Sequence, residues 1–205
     1  YQFFVSRYLN DPEQNTRILE SLLGQARILK KKKRTRQAKT MYQRVISEFN
    51  ARGLEPGSPD SRFPAEAAFE LVEYDFVPYE TLQIPARFKN QERVINKLKK
   101  DRLALKRRYQ EIIDCRFIDW NIAALFRFGN IDELFAQKLY DAPVPSSLSE
   151  DEQDAYREAL DEFARPIEES AIGAYEYAIK EARRNVVMNE WTVRIQTSLN
   201  KSKPE

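Results

Sequence analysis

Apolar residues recur at three- and four-residue spacing along nearly the whole chain, and runs alternating apolar with polar are scarce. That period marks amphipathic helices. A first helix is expected after Asn10 and Asp11, with Pro12 at its first position and Glu13 complementing the dipole. Its apolar face holds Ile18, Leu22, Leu23, Ala26 and Leu29. A second stripe of Ala38, Met41, Tyr42, Val45, Ile46 and Phe49 ends near Gly53, and the Pro- and Gly-rich segment 55–59 reads as loop. Pro64 starts a third helix bearing Ala67, Ala68, Leu71 and Val72, expected to end before Pro78. A fourth, lined by Val94, Leu98, Leu105, Tyr109 and Ile112 with Asp101 interrupting the seam, runs from Pro85 to about Ile113.

The second half continues in the same way. A fifth helix is expected from about Arg116 to Phe128, stopping at Gly129, and Asn130 with Glu133 forms a capping-box pattern opening a sixth. Segment 142–147, with two prolines and two serines, is linker-like. Ser149 and Glu152 give another capping box for a seventh helix ending near Ala164. Pro166 starts an eighth, to about Arg184, and a ninth holds Val187, Trp191, Ile195 and Leu199. Nine helices with short turns predict an all-α fold.

A spacing recurs within the helix pairs. The first reads Leu22-x3-Ala26-x2-Leu29, then Ala38-x3-Tyr42-x2-Val45. The stretch 116–141 reads Trp120-x3-Ala124, then Ala136-x3-Tyr140. The next reads Ala155-x3-Ala159, then Ala171-x3-Tyr175-x2-Ala178. In each, small residues stand 12 positions apart: Ala26 and Ala38, Ala124 and Ala136, Ala159 and Ala171. Alanine lets two helix backbones approach closely, and a ring four residues on fills the space beside the contact.

This pattern resembles the tetratricopeptide repeat family, which places a large then a small residue on helix A and small-x3-aromatic-x2-small on helix B. Tyr1, Phe4 and Tyr8 parallel Tyr42, Val45 and Phe49 as the closing helix of a preceding repeat. Within the family the likeness is to long cell-envelope repeat proteins of gliding myxobacteria. The match is degenerate. The third and fourth helices exceed the usual unit, Lys89 and Arg93 occupy slots wanting large and small residues, Pro143 replaces a small one, and Glu158 and Glu162 fill apolar slots. The alternative is a non-repetitive helical bundle.

The resemblance implies one continuous α-solenoid of antiparallel helix pairs. Its segments would be 1–53 (a repeat with the end of a preceding one), 63–113 (an irregular long pair), 114–142 (a repeat) and 149–205 (a repeat plus a following amphipathic helix). It also implies a concave face lined by A helices. On the first pair that face would present Glu20, Leu23, Arg27, Lys30 and Lys31; on the third, Ile118, Asn121, Leu125 and Phe128. Such a groove suits an extended or helical peptide segment. Packing of Leu125 and Phe128 on a neighbouring helix is the alternative. The carboxylate-clamp residues of chaperone-binding members are not matched, since Leu23 and Arg27 sit where Lys and Asn are wanted.

Composition narrows the chemistry. The 205 residues include no His, one Cys (Cys115) and five Gly. A Ser-His-Asp triad, a Cys-His pair and a His-ligated zinc are therefore excluded, as are an internal disulfide and a CxxC site. No GxGxxG or Gly-Lys-Ser/Thr motif exists for nucleotide phosphates. No run approaches the roughly 18 apolar residues that span a bilayer. Carboxylate pairs such as Asp161–Glu162 and Glu168–Glu169 point apart on a helix, and Cys115 lacks an activating base. The expectation is a non-enzyme with no cofactor, metal or small-molecule substrate.

Charge is segregated although the total is only +2. Residues 1–116 carry a net +9 and residues 117–205 a net −7. Six of the seven residues 30–36 are basic, which invites binding to nucleic acid or an anionic membrane surface. Against that stand the absence of interleaved aromatic residues and the affinity of basic side chains for a helix C-terminus. The reading is a protein-interaction scaffold within a larger bacterial protein, whose partner is a peptide or subunit of an envelope complex, in the periplasm or cell envelope, with the cytoplasm as alternative. Polyanion binding through the basic half is the rival. The chain opens at Tyr1 within an apolar segment and stops abruptly at Glu205, which reads as a piece of a longer protein.

Overall fold

A computed structural model describes residues 1–202. Among them are eight α-helices, two 3-10 turns and no strand. The helices are α1 (Gln2–Tyr8), α2 (Asn15–Lys31), α3 (Thr35–Ala51), α4 (Arg62–Thr81), α5 (Phe88–Ile113), α6 (Ile118–Tyr140), α7 (Glu150–Arg184) and α8 (Glu190–Ser202). The chain forms two compact units, residues 1–74 with 110–121, and residues 75–109 with 122–205.

The first unit is organised by the α2–α3 hairpin. Pro12 opens a single 3-10 turn, in which Asp11 accepts from the Glu13 backbone N–H at 3.0 Å, and α2 follows from Asn15. The predicted stripes become the core. Ile18, Leu22 and Ala26 of α2 and Ala38, Tyr42 and Val45 of α3 are all fully buried, joined by Val5 of α1 and Phe63 and Ala67 of α4. Each large apolar side chain so enclosed contributes about 1.5–3 kcal/mol. The hairpin closes with backbone bonds alone: Lys33 N–H to Lys30 C=O at 2.9 Å and Arg34 N–H to Leu29 C=O at 3.0 Å. That is the Schellman pattern, with Lys33 at φ 58° in the left-handed position glycine usually fills. Gly53 closes α3 in the same way, at φ 63°.

Three expected helix ends are absent. Helix α4 continues through Pro78 to Thr81, since Tyr79 beyond the expected break is buried, as is Phe76 just before it, and the Tyr79 hydroxyl donates to the Ile131 carbonyl at 2.8 Å. Tertiary anchorage there outweighs the one backbone hydrogen bond proline removes. The fifth and sixth expected helices are one helix, α6. Gly129 is no cap: it is buried mid-helix, and a Cβ built on it would stand 2.6 Å from the Tyr175 Cε1. The glycine is a notch for a ring. Similarly, the seventh and eighth are the 35-residue α7, about 52 Å long, with Pro166 inside it. Its buried stripe of Ala164, Ile167, Ala171, Tyr175, Ala178 and Ala182 passes the proline without a change of phase.

The consequence for the repeat spacing is direct. Ala124 and Ala136 share one helix, as do Ala159 and Ala171. Twelve residues along a helix separate each pair by about 18 Å, so they cannot be facing contacts of a hairpin. Ala159 is moreover exposed. Only Ala26 and Ala38 lie on two helices of one hairpin.

Candidate functional site

In the first unit, α2 carries five of the expected face residues. Leu23 is not on a face: it is 2 % exposed and belongs to the core. The i, i+4 spacing from Leu19 turns it inward with Ile18 and Leu22. Glu20, Arg27, Lys30 and Lys31 are exposed. Arg27 and Lys30 do not stand free, however. Arg27 makes a two-pronged pair with Glu66 of α4, Nε to Oε1 and a terminal nitrogen to Oε2, both at 2.5 Å, and Lys30 pairs with Glu70. The result is a row of alternating charge one turn apart along α2 and α4. Beneath it the Tyr42 hydroxyl is enclosed with no hydrogen-bond partner among the described residues, and burial first, then Glu70, pushes its pKa far up.

Beyond the row, Lys31, Lys32, Lys33, Arg34 and Arg36 are all exposed at the hairpin tip. Ile118 and Asn121, in the first turn of α6, are half-buried, and Trp120 packs its ring 5.1 Å from that of Phe69. Cys115 is half-buried with its thiol toward the Glu111 carbonyl, and burial raises its pKa, the opposite of an activated nucleophile.

The second unit holds Leu125 and Phe128, both half-buried, with the Lys106 ammonium 5.4 Å over the Phe128 ring. Its most unusual feature is Asp132, whose side chain is 0 % exposed. Oδ1 accepts from Arg102 Nε at 2.6 Å, and Oδ2 accepts from Lys106 Nζ at 2.7 Å and Ser170 Oγ at 2.8 Å. Three helices, α5, α6 and α7, meet at one carboxylate. Burial pushes the Asp132 carboxyl up, and the hydrogen bonds from Arg102 and Lys106 overcome it, holding the group below its ordinary range. Three hydrogen bonds, one to Oδ1 and two to Oδ2, hold the carboxylate in place between the helices. Sequence reading missed this cluster. The available signal was a charge, Asp132, between Ile131 and Phe135, with Arg102 and Lys106 one turn apart on α5. Asp101, expected to interrupt the α5 seam, is half-buried and pairs with Lys97 at 2.5 Å.

Nearby, the buried Arg127 lies with its guanidinium 4.0 Å over the Phe76 ring and donates to Asn130 at 2.8 Å. A cleft of about 550 Å³ between α5 and α7 is lined by Lys89, Gln91, Ile95, Asn96, Lys99 and Tyr156. Gln91 spans its floor, donating to the Pro143 carbonyl and accepting from the Tyr156 hydroxyl, both at 2.7 Å. No group of three or more metal-ligating side chains and no helix long and apolar enough to cross a membrane occurs among the described residues. No protein-family model, no curated protein and no solved structure matches the chain.

Proposed function

We propose that this chain is a non-catalytic helical module for protein–protein assembly, working through the outer face of the α2–α3 hairpin and α4. One observation carries the reading. Ala26 and Ala38 are both fully buried within a two-helix hairpin, with Tyr42 four residues on and also enclosed, as the tetratricopeptide helix pair requires. That packing leaves Glu20, Arg27, Lys30 and Lys31 outward, on a rigid scaffold, with Arg27 held by a two-pronged carboxylate pair. Ordered charge of both signs supports orientation and choice of a protein partner more than raw affinity. The repeat likeness is kept for residues 15–51; α6 and α7, each a single helix, lie outside it. Subunits of an envelope complex are the partner class to probe first.

Photo-crosslinking in the producing cells tests the reading. A photoreactive residue at Glu20 or Lys31 should trap defined protein adducts, and Arg27→Glu, which places like charge against Glu66, should abolish them while the helical content is retained. Absence of defined adducts at both positions, or adducts indifferent to Arg27→Glu, would overturn it.

A further inference from the structure

Between Glu20 and Glu48 the chain holds no carboxylate and nine cations, all on the α2–α3 hairpin. Four are spent within the fold. Arg27 and Lys30 pair with Glu66 and Glu70, Arg44 lies 3.6 Å from Glu48, and Lys39 sits 4.8 Å over the Tyr74 ring. The other five, Lys31, Lys32, Lys33, Arg34 and Arg36, are exposed at the tip with no carboxylate partner among the described residues.

Basic residues often end a helix to neutralise its terminal carbonyls. Three carbonyls at the end of α2 are already met by the backbone: Lys32 N–H donates to Ile28, Lys33 N–H to Lys30 and Arg34 N–H to Leu29. The lysine and arginine side chains are therefore not needed to cap those three carbonyls. Lys33 adds a second argument, because at φ 58° it occupies a conformation that glycine would adopt without strain, and a cation stands there instead.

We propose that the α2–α3 tip binds the phosphate backbone of duplex nucleic acid without reading its sequence. A duplex presents one charge per about 1.7 Å of axis, and a compact set of five cations gains by releasing the counterions condensed there. A lipid surface fits less well. Stable membrane anchoring needs an apolar element beside a basic patch, and residues 31–37 carry none, the nearest exposed apolar side chain being Ile28 one turn back. Single-strand recognition would need aromatic platforms, which the tip also lacks.

The test is titration of the chain with a short duplex DNA across salt, alongside vesicles of phosphatidylcholine and phosphatidylserine. Five phosphate contacts predict a log–log slope of roughly −4.5, a loss of about 500-fold between roughly 50 and roughly 200 mM salt. Lys31→Ala with Lys32→Ala and Lys33→Gly leaves two contacts, a slope of roughly −1.8 and a loss of about 12-fold. The glycine keeps the turn, and circular dichroism checks that the helices remain. Lys100→Ala with Arg107→Ala, exposed cations on α5, should leave the slope unchanged. No duplex binding at low salt, an equal effect from the α5 pair, or binding to anionic vesicles but not to DNA would overturn the proposal.

Discussion

The Arg102 Nε stands 2.6 Å from the Asp132 Oδ1, joining a half-buried guanidinium on α5 to a wholly enclosed carboxylate on α6. Removing the acceptor strands two cations. Asp132→Ala should therefore cost about 3 kcal/mol, the lower end for a broken buried pair, because Arg102 and Lys106 keep some contact with water. Chemical denaturation at neutral pH measures it, and a loss below about 1 kcal/mol, the scale of a surface pair, would show the cluster to be solvated.

The same group sets an acid limit. Its folded pKa lies below the unfolded value, so between the two the unfolded chain binds more protons and stability declines as the pH is lowered. The contribution is complete above about pH 4, the ordinary aspartate range, and disappears as pH drops through the lowered native value. Melting curves across the acid range should show this slope in the wild type and a shallower one in Asp132→Asn.

Gly129 and Tyr175 make a packing prediction opposed to helix propensity. Alanine is the better helix former by about 1 kcal/mol, yet its Cβ would stand 2.6 Å from the ring. Gly129→Ala should destabilise by about 1–3 kcal/mol through overpacking. In a Tyr175→Ala background the same change should become neutral or stabilising. Additive effects of the two substitutions would mean that the ring is not what the glycine accommodates.

Val186 closes α7 at φ 56°, a conformation costly for a β-branched residue, with its side chain 86 % exposed. Val186→Gly loses almost no packing and relieves the strain, so stability should rise by about 1 kcal/mol. The denaturant midpoint reports it.

The alanines separate real helix contacts from coincident spacing. Ala38→Leu forces three carbons into a full core and should cost about 1–3 kcal/mol. Ala159→Leu, on the exposed side of α7, should change stability by less than about 0.5 kcal/mol. Were the twelve-residue spacing a hairpin contact in both places, both would destabilise alike.

The all-helical class and most buried positions were legible in the sequence because helical burial is periodic and local. Ile18, Leu22 and Ala26, or Leu98, Leu105 and Ile112, declare a face without reference to anything distant. The capping box of Ser149 and Glu152, and the turn at Gly53, were readable for the same reason: each is settled within a few residues. Leu23, expected on a docking face, is a residue whose periodicity fitted the core as well as the groove.

What tertiary structure decided is where helices do not end. Pro78, Gly129 and Pro166 carry local signals to stop, worth about 1–3 kcal/mol each. Each is overruled by side chains brought from afar: Tyr79 bonded to Ile131, Tyr175 laid on Gly129, a continuous buried stripe across Pro166. The pairing of cations was likewise hidden. Glu66 is 39 residues from Arg27 and Asp132 is 30 from Arg102, so only the folded chain shows which charges are neutralised and which five at the α2–α3 tip are left facing solvent. Sequence registers short-range preference; the competition between that preference and long-range packing is resolved only once the helices touch.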